Sequence, residues 1–423
     1  MYFNNLDLSK LTDEEVLFFI RIRGKKSYFN MVYTQPILDK FIGLSKYRCI
    51  SEYTKDADVH IDINLVERDY LSESEFELFK EIIDINDLIL RCRGLRGTTY
   101  EDAKKLVYRT FLFFLDFYSS SKKLKLIVTG AIDNYVMDIM NRVGLYYGVQ
   151  FLGVTDSFMS PKYKLITTRG ESTVFSTPSD TDVKDMLKNI SQTALSPIAP
   201  KKNKAIKSTV YDIGSYIYRY IVRYLYKHKV LGRLEYEYKF APLLYKCKSF
   251  GQIFAVRHLK SKKQFTPQEG VKYAYIPLHY YPEATVDYWI DNTFHVEYLS
   301  SVLDTIDKLQ EKGFEVVVKE HPAYYLGRTS EFYKEIKTKT DLLLSPFIST
   351  KEIFKHIEIV VVWNGSTGIE AIVNRKPVVK VTNSYYGDNL IQSLDEIDEA
   401  NVPNEKIGLE VVKKVLESSF RTF

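Results

Sequence analysis

From about residue 270 the chain alternates short runs of β-branched residues with amphipathic stretches of helical period, and few folds accept that pattern. VKYAYIPL (271–278), FEVVVKE (314–320), DLLLSP (341–346), EIVVVWN (358–364) and PVVKV (377–381) read as buried strands. Between them, 292–313, 330–340, 349–357 and 366–375 read as helices, the third opened by a capping box of Ser349 and Glu352. Five strands with intervening helices predict a doubly wound parallel sheet, because right-handed crossovers leave little else. With strand order 3-2-1-4-5, the loops after the first, second and fourth strands border one crevice at the point where the chain reverses direction.

Those three loops carry the polar chemistry. The first holds His279 and Glu283, the second is Lys319-Glu320-His321-Pro322, and the third is Asn364-Gly365-Ser366-Thr367-Gly368. In the third, two glycines permit close backbone approach, two hydroxyls can donate, and the following helix presents N–H groups to an anion. Phosphate is the natural occupant, although Ser366 acting only as an N-cap accounts for the segment equally well. The spacing is neither a Walker A loop nor GxGxxG. In the second, His321 can donate to a phosphate oxygen and Lys319 adds positive charge. Glu320 can accept from a base amino group or a ribose hydroxyl, and Pro322 stiffens the turn. His279 and Glu283 can contact the donor or acceptor sugar, although Glu283 acting only as a cap of the turn after Pro282 is the plain alternative.

The runs YIPLHYYPEAT, VVVKEHPAYYLGR, LLLSPFIST and NGSTGIEAIVNRKPVV, in this order over about 270–382, resemble bacterial capsule and lipopolysaccharide polysaccharide-synthesis proteins that include the Kdo transferases. The His-Pro and Ser-Thr segments are also similar to the motifs with which bacterial sialyl- and polysialyltransferases hold CMP. This resemblance implies an α/β, GT-B-like fold, two Rossmann-like domains facing across a cleft with the donor nucleotide on the C-terminal one. It further implies transfer of an acidic keto-sugar, of Kdo or nonulosonic acid type, from a CMP-sugar donor to a glycan or glycolipid acceptor. UDP- and GDP-sugar transferases and nucleotide-sugar 2-epimerases share the architecture. A non-catalytic subunit of polysaccharide assembly or export is a reading from another class.

In the first half, LKLIVTG (124–130), a helical stretch over 133–148 and VQFLGVT (149–155) form a strand-helix-strand unit. Asp156 follows its second strand and is the candidate catalytic carboxylate on the acceptor side. In the resembling Kdo transferases a carboxylate in about this place is thought to act as nucleophile, and in inverting sialyltransferases as general base. A turn cap made with Ser157 is the plain alternative. Asp133 is the reserve candidate, and Arg169-Gly170-Glu171 is a candidate holder of an acidic group. No cluster has metal-ligand spacing, so metal-independent transfer without a cofactor is expected.

The 423 residues suffice for two domains, with expected divisions at 1–205, a bridging helical region 206–268, a nucleotide-binding domain 269–400, and a C-terminal helix 401–423 free to cross back. The polar, basic stretch 186–208 reads as a connector. Fifty-nine basic against 54 acidic residues give a net charge of +5, too mild to argue for nucleic acid. Three scattered cysteines, no signal-peptide pattern and no apolar run of membrane-spanning length point to the cytoplasm. The Tyr/Arg-rich segment 209–228 suggests either a packed helix or a peripheral contact with the inner membrane or other polysaccharide-assembly proteins.

Overall fold

A computed structural model describes the chain except residues 1, 21–34, 45–46, 53–56, 194, 196–202, 212, 215–249, 260–264, 282, 388–390, 400 and 423. Most of the Tyr-rich segment and of the bridging region lies outside the described residues.

The N-terminal half supplies β1 (Val16–Phe19), β2 (Arg48–Ser51), β3 (Val59–His60), α1 (Glu73–Ile82), α2 (Ile85–Arg91), α3 (Arg93–Arg96), α4 (Tyr100–Ser120), β4 (Leu126–Gly130), α5 (Tyr135–Tyr146), β5 (Gln150–Asp156), β6 (Tyr163–Ile166) and α6 (Asp180–Gln192). Its five parallel strands lie in the order β3-β2-β1-β4-β5, with β6 added antiparallel beyond β5. The strands β1 and β4 are fully buried, β1 as the unbroken apolar run VLFF and β4 as LIVTG with Thr129 near its end, as strands covered on both faces are. Helix α4 starts where the Thr99 hydroxyl accepts from Asp102 N, and it buries Ala103, Leu106, Val107, Phe111 and Phe114. Tyr118 Oη donates to Met140 O at 2.9 Å and ties α4 to α5.

The second half supplies β7 (Tyr273–Pro277), α7 (Ala284–Asp287), α8 (Tyr298–Glu311), β8 (Glu315–Lys319), α9 (Ser330–Lys339), β9 (Leu343–Leu344), α10 (Thr350–Phe354), β10 (Ile359–Val362), α11 (Thr367–Val373), β11 (Val378–Lys380), β12 (Gln392–Ser393), α12 (Glu405–Glu417) and β13 (Ser419–Arg421). Its sheet is wholly parallel in the order β9-β8-β7-β10-β11-β12. The molecule is therefore an α/β protein of two Rossmann-like domains with the same central strand order, a GT-B-like arrangement.

Several local expectations are corrected. The second sheet gains a sixth strand, β12, whose two residues carry no apolar run to announce it. Ser349 precedes α10 but makes no capping hydrogen bond through its side chain. The stretch read as a connector is helical at 186–192 and at 203–211, because Met186 and Ile190 are needed in the core.

After the second sheet, α12 packs on α6 and α11, and β13 pairs antiparallel with β6 in the first sheet. Val411, Val412 and Val415 of α12 join residues of both halves in one apolar cluster. The domains also meet through the loop after β7. Arg93 Nε and Arg96 Nη2 reach the two oxygens of Asp287 at 2.9 and 3.0 Å, and Arg91 donates to the carbonyls of Asp287 and Ile290. Burial raises the Asp287 carboxyl to about 6 against the pull of Arg93 and Arg96. Phe158, just past β5, packs its ring on Trp289 and Tyr385. Gly170 is in the left-handed region, φ 86°, and a Cβ there would lie 2.6 Å from Trp289 Cβ. Gly170→Ala therefore combines backbone strain with a clash at the seam, and urea denaturation should show a loss of about 1–3 kcal/mol.

Candidate functional site

Strands β8, β7 and β10 are neighbours in that order, so the loops leaving them stand side by side at the carboxyl edge of the second sheet. The chain reverses direction between β7 and β10, which is where open α/β sheets bind ligands.

A chain of hydrogen bonds runs across the three loops. Glu320, 1% exposed, accepts from His321 N at 2.6 Å, Arg328 Nε at 2.8 Å and Tyr333 Oη at 2.7 Å. The same guanidinium donates through Nη2 to the carbonyl of His279. His279 Nε2 in turn accepts the Asn364 N–H at 3.3 Å. Arg328 is sandwiched by aromatic rings, its Cζ 4.4 Å from the Phe332 centroid and 4.9 Å from that of Tyr324. The loop before it is held in a costly conformation, since buried Leu326 has φ 68°. Arg328 was not singled out from sequence; a lone arginine in a turn has no spacing that marks it.

This network reassigns several candidates. Both oxygens of Glu320 are taken by protein donors, so it organises the loop rather than receiving a ribose hydroxyl or a base. Lys319, the last residue of β8, is also buried, and its Nζ donates to Thr350 Oγ1 at 3.0 Å. Burial lowers its ammonium to about 8, partly offset by Glu370. Asn364, 2% exposed, donates through Nδ2 to Thr285 O and Trp289 O, and so fastens the third loop to the first. The glycines make room for protein groups. A Cβ on Gly365 would come 3.2 Å from His279 Nε2, and one on Gly368 would come 2.0 Å from Tyr386 Oη, which donates to Gly365 O. Thr367 is buried as the first residue of α11.

Other candidates remain open to a ligand. His321 is half-buried; its Nδ1 accepts from Ala323 N at 3.2 Å while Pro322 begins the turn. The ring proton therefore sits on Nε2, which bonds none of the described residues. Burial, with Arg328 and Lys319 nearby, lowers the His321 imidazole to about 4, and burial lowers His279 to about 3. Both are neutral near pH 7. Ser366 is half-exposed and forms no side-chain capping bond, so its hydroxyl is not spent on the helix. Glu283 accepts from Thr285 Oγ1 at 2.9 Å, and burial raises its carboxyl.

Across the seam, Asp156 ends β5 with its side chain 61% exposed and Oδ1 2.5 Å from Lys164 Nζ. It stands two residues before Phe158, whose ring touches Trp289, whose carbonyl accepts from Asn364. Asp133 lies at the entrance of α5, where its carbonyl accepts from Arg93. Arg169 is bound to Asp138, and Glu171 to the backbone of Thr168 and Arg169, so this turn is internally satisfied. Among the described residues no three His, Cys, Asp or Glu side chains are grouped as metal ligands would be, and no helix is long and apolar enough to cross a membrane.

Residues 135–391, more than half of the chain, match the profile of the family described as capsule polysaccharide biosynthesis protein. The chain belongs to that family. It is 20% identical over 250 residues to the capsule polysaccharide export protein KpsS of Escherichia coli, a match spanning 56% of this chain and 62%, under two thirds, of that relative. Among solved structures it is similar to the Thermosulfurimonas dismutans KpsC beta Kdo 2,7 transferase, at TM-score 0.41 and 13% identity over 95% of this chain and 90% of that one. It is also similar to the UDP-GlcNAc 2-epimerase of Neisseria meningitidis, at TM-score 0.28 and 11% identity over 95% and 98% of the two chains. Likenesses at this level carry no functional weight.

Two outcomes follow from the network. Arg328→Met leaves Glu320 buried without its cation, and urea denaturation should report a loss of about 3–5 kcal/mol. The histidines give stability a pH dependence. Their folded values lie below the unfolded value of about 6.5, so the unfolded chain binds more protons and the stability they contribute is lost as pH falls from 6.5 toward 4. Between pH 6.5 and 4.5 the urea midpoint should fall more steeply for the wild type than for His321→Gln, a difference in which the opposite contribution of Asp287 cancels.

Proposed function

We propose that this protein is a glycosyltransferase of bacterial capsule polysaccharide synthesis, transferring an acidic keto-sugar of Kdo or nonulosonic acid type from a CMP-sugar to a glycan or glycolipid acceptor. The observation that carries the reading is the contrast within the crevice. Glu320, Arg328 and the Asn364 amide N–H groups are bonded within the three loops, whereas the half-exposed His321 Nε2–H and Ser366 hydroxyl, on the loops flanking that of His279, bond none of the described residues. Two neutral donors on rigid loops, with the first N–H groups of α11 beside Ser366, suit a phosphate of a bound nucleotide. Preference for CMP draws on the likeness of the His-Pro and Ser-Thr segments to sialyltransferase motifs.

In this mechanism His321 and Ser366 donate to the phosphate as it takes on charge when the sugar–phosphate bond breaks, without reorganising in the transition state. Asp156, across the seam, acts at the sugar as nucleophile in a double displacement or as general base on the acceptor hydroxyl. Metal-independent transfer is part of the proposal, and retention of activity in EDTA tests it. The protein would work in the cytoplasm, with its acceptor brought to it at the inner membrane.

The name of the Escherichia coli relative, an export protein, favours a second reading, a non-catalytic assembly or export subunit. One set of measurements separates the two. CMP at about a hundred times its dissociation constant should stabilise the fold by roughly 2.7 kcal/mol. UDP and GDP should act less, and His321→Ala should abolish the shift. Asp156→Ala should keep both the fold and the CMP shift while surface polysaccharide in a strain lacking the native gene is not restored. Restoration by Asp156→Ala would favour the assembly subunit.

A further inference from the structure

We propose that Lys164 is a positioning residue for the Asp156 carboxylate, an inference that rests on the assignment of Asp156 as the reacting group. The chain turns back after β5 and returns as β6, with Ser157 N donating to Tyr163 O at 3.2 Å. This antiparallel return places Lys164 directly opposite Asp156 in the register. On its other side Lys164 is opposite Phe420 of β13, so the lysine occupies the middle strand of three.

The two partners differ sharply in exposure. The Lys164 side chain is 7% exposed and that of Asp156 61%, with 2.5 Å between Nζ and Oδ1. Surface ion pairs usually contribute little, because both side chains must surrender rotamer freedom to meet. Here the sheet has already immobilised the lysine stem, and a sequestered ammonium needs a counter-charge. The carboxylate is therefore drawn to one oxygen position at the seam. Fixing a reacting group through a buried partner on a sheet is more exact than leaving it on a free loop. The strands β6 and β13 are antiparallel additions beyond the five-stranded parallel core.

The test compares Lys164→Met, Lys164→Arg, Asp156→Ala and the double variant Asp156→Ala/Lys164→Met. Two readouts are taken: surface polysaccharide per unit of folded protein in a strain lacking the native gene, and the thermal shift of the purified full chain with CMP. Lys164→Met should lower polysaccharide about tenfold or more while keeping the CMP shift. Lys164→Arg should recover most of the loss, and the double variant should be no worse than Asp156→Ala. An active Lys164→Met beside an inactive Asp156→Ala overturns this inference alone. Loss of the CMP shift in Lys164→Met, with no rescue by arginine, also overturns it in favour of a purely structural pair. An active Asp156→Ala removes the assignment of Asp156 and this inference with it.

Discussion

The buried pair of Arg328 and Glu320 is the contact on which the crevice depends. Burying two charges is costly, and an ion pair recovers that cost only when further hydrogen bonds satisfy what remains of both groups. Here they do. Glu320 also takes Tyr333 Oη and His321 N–H, while Arg328 also reaches the His279 carbonyl and lies against three aromatic rings. A single charge-assisted network thus sets the spacing of the loops after β7 and β8, and His279 extends it to the loop after β10. The left-handed backbone at Leu326 persists because this network over-determines it.

The loop after β7 serves both domains. Its beginning holds His279 in the crevice, and its later part carries Asp287 and Trp289 into contact with the first domain. Asn364 bonds to the backbone of that later part. The crevice and the seam are consequently one mechanical unit. His321 and Ser366 therefore stand on loops whose positions are tied to the arginines of α2 and α3.

How far this was legible in the sequence can be judged residue by residue. The strands of the second sheet were readable because FEVVVKE and EIVVVWN are buried on both faces, and the assumed common strand order is the one the sheet adopts. The loops that matter were readable for the same reason: they end those runs. What escaped was the direction in which each side chain turns. Lys319 and His321 are two residues apart, yet one ends under the sheet beside Thr350 and the other at the crevice, a difference that depends on where the strand stops. The glycines of NGSTG looked like space for a ligand, but the space is filled by His279 and Tyr386, and no local pattern foretells an approach from 86 or 18 residues away. Arg328 and Lys164 were invisible because their importance lies in the partners that folding brings to them. The return of the chain end to the first sheet as β13 is likewise a long-range pairing.

The electrostatics of the crevice explain why its histidine is neutral. Arg328 and Lys319 both lie close enough to His321 to disfavour a proton, and burial acts in the same direction. A charged imidazole would bind phosphate more tightly in the ground state, but it would also be repelled by the neighbouring cations and would lose its charge between pH 5 and 7. A neutral Nε2–H, fixed by the bond that Nδ1 accepts from Ala323, keeps one donor in one place across the physiological range. Under the proposed function, its interaction would strengthen as negative charge accumulates on the leaving phosphate, which is the condition for favouring the transition state over the bound donor. The crevice therefore uses its charges to hold the loops and leaves neutral donors at its surface, which under the proposed function would suit a nucleotide that must leave again after each transfer.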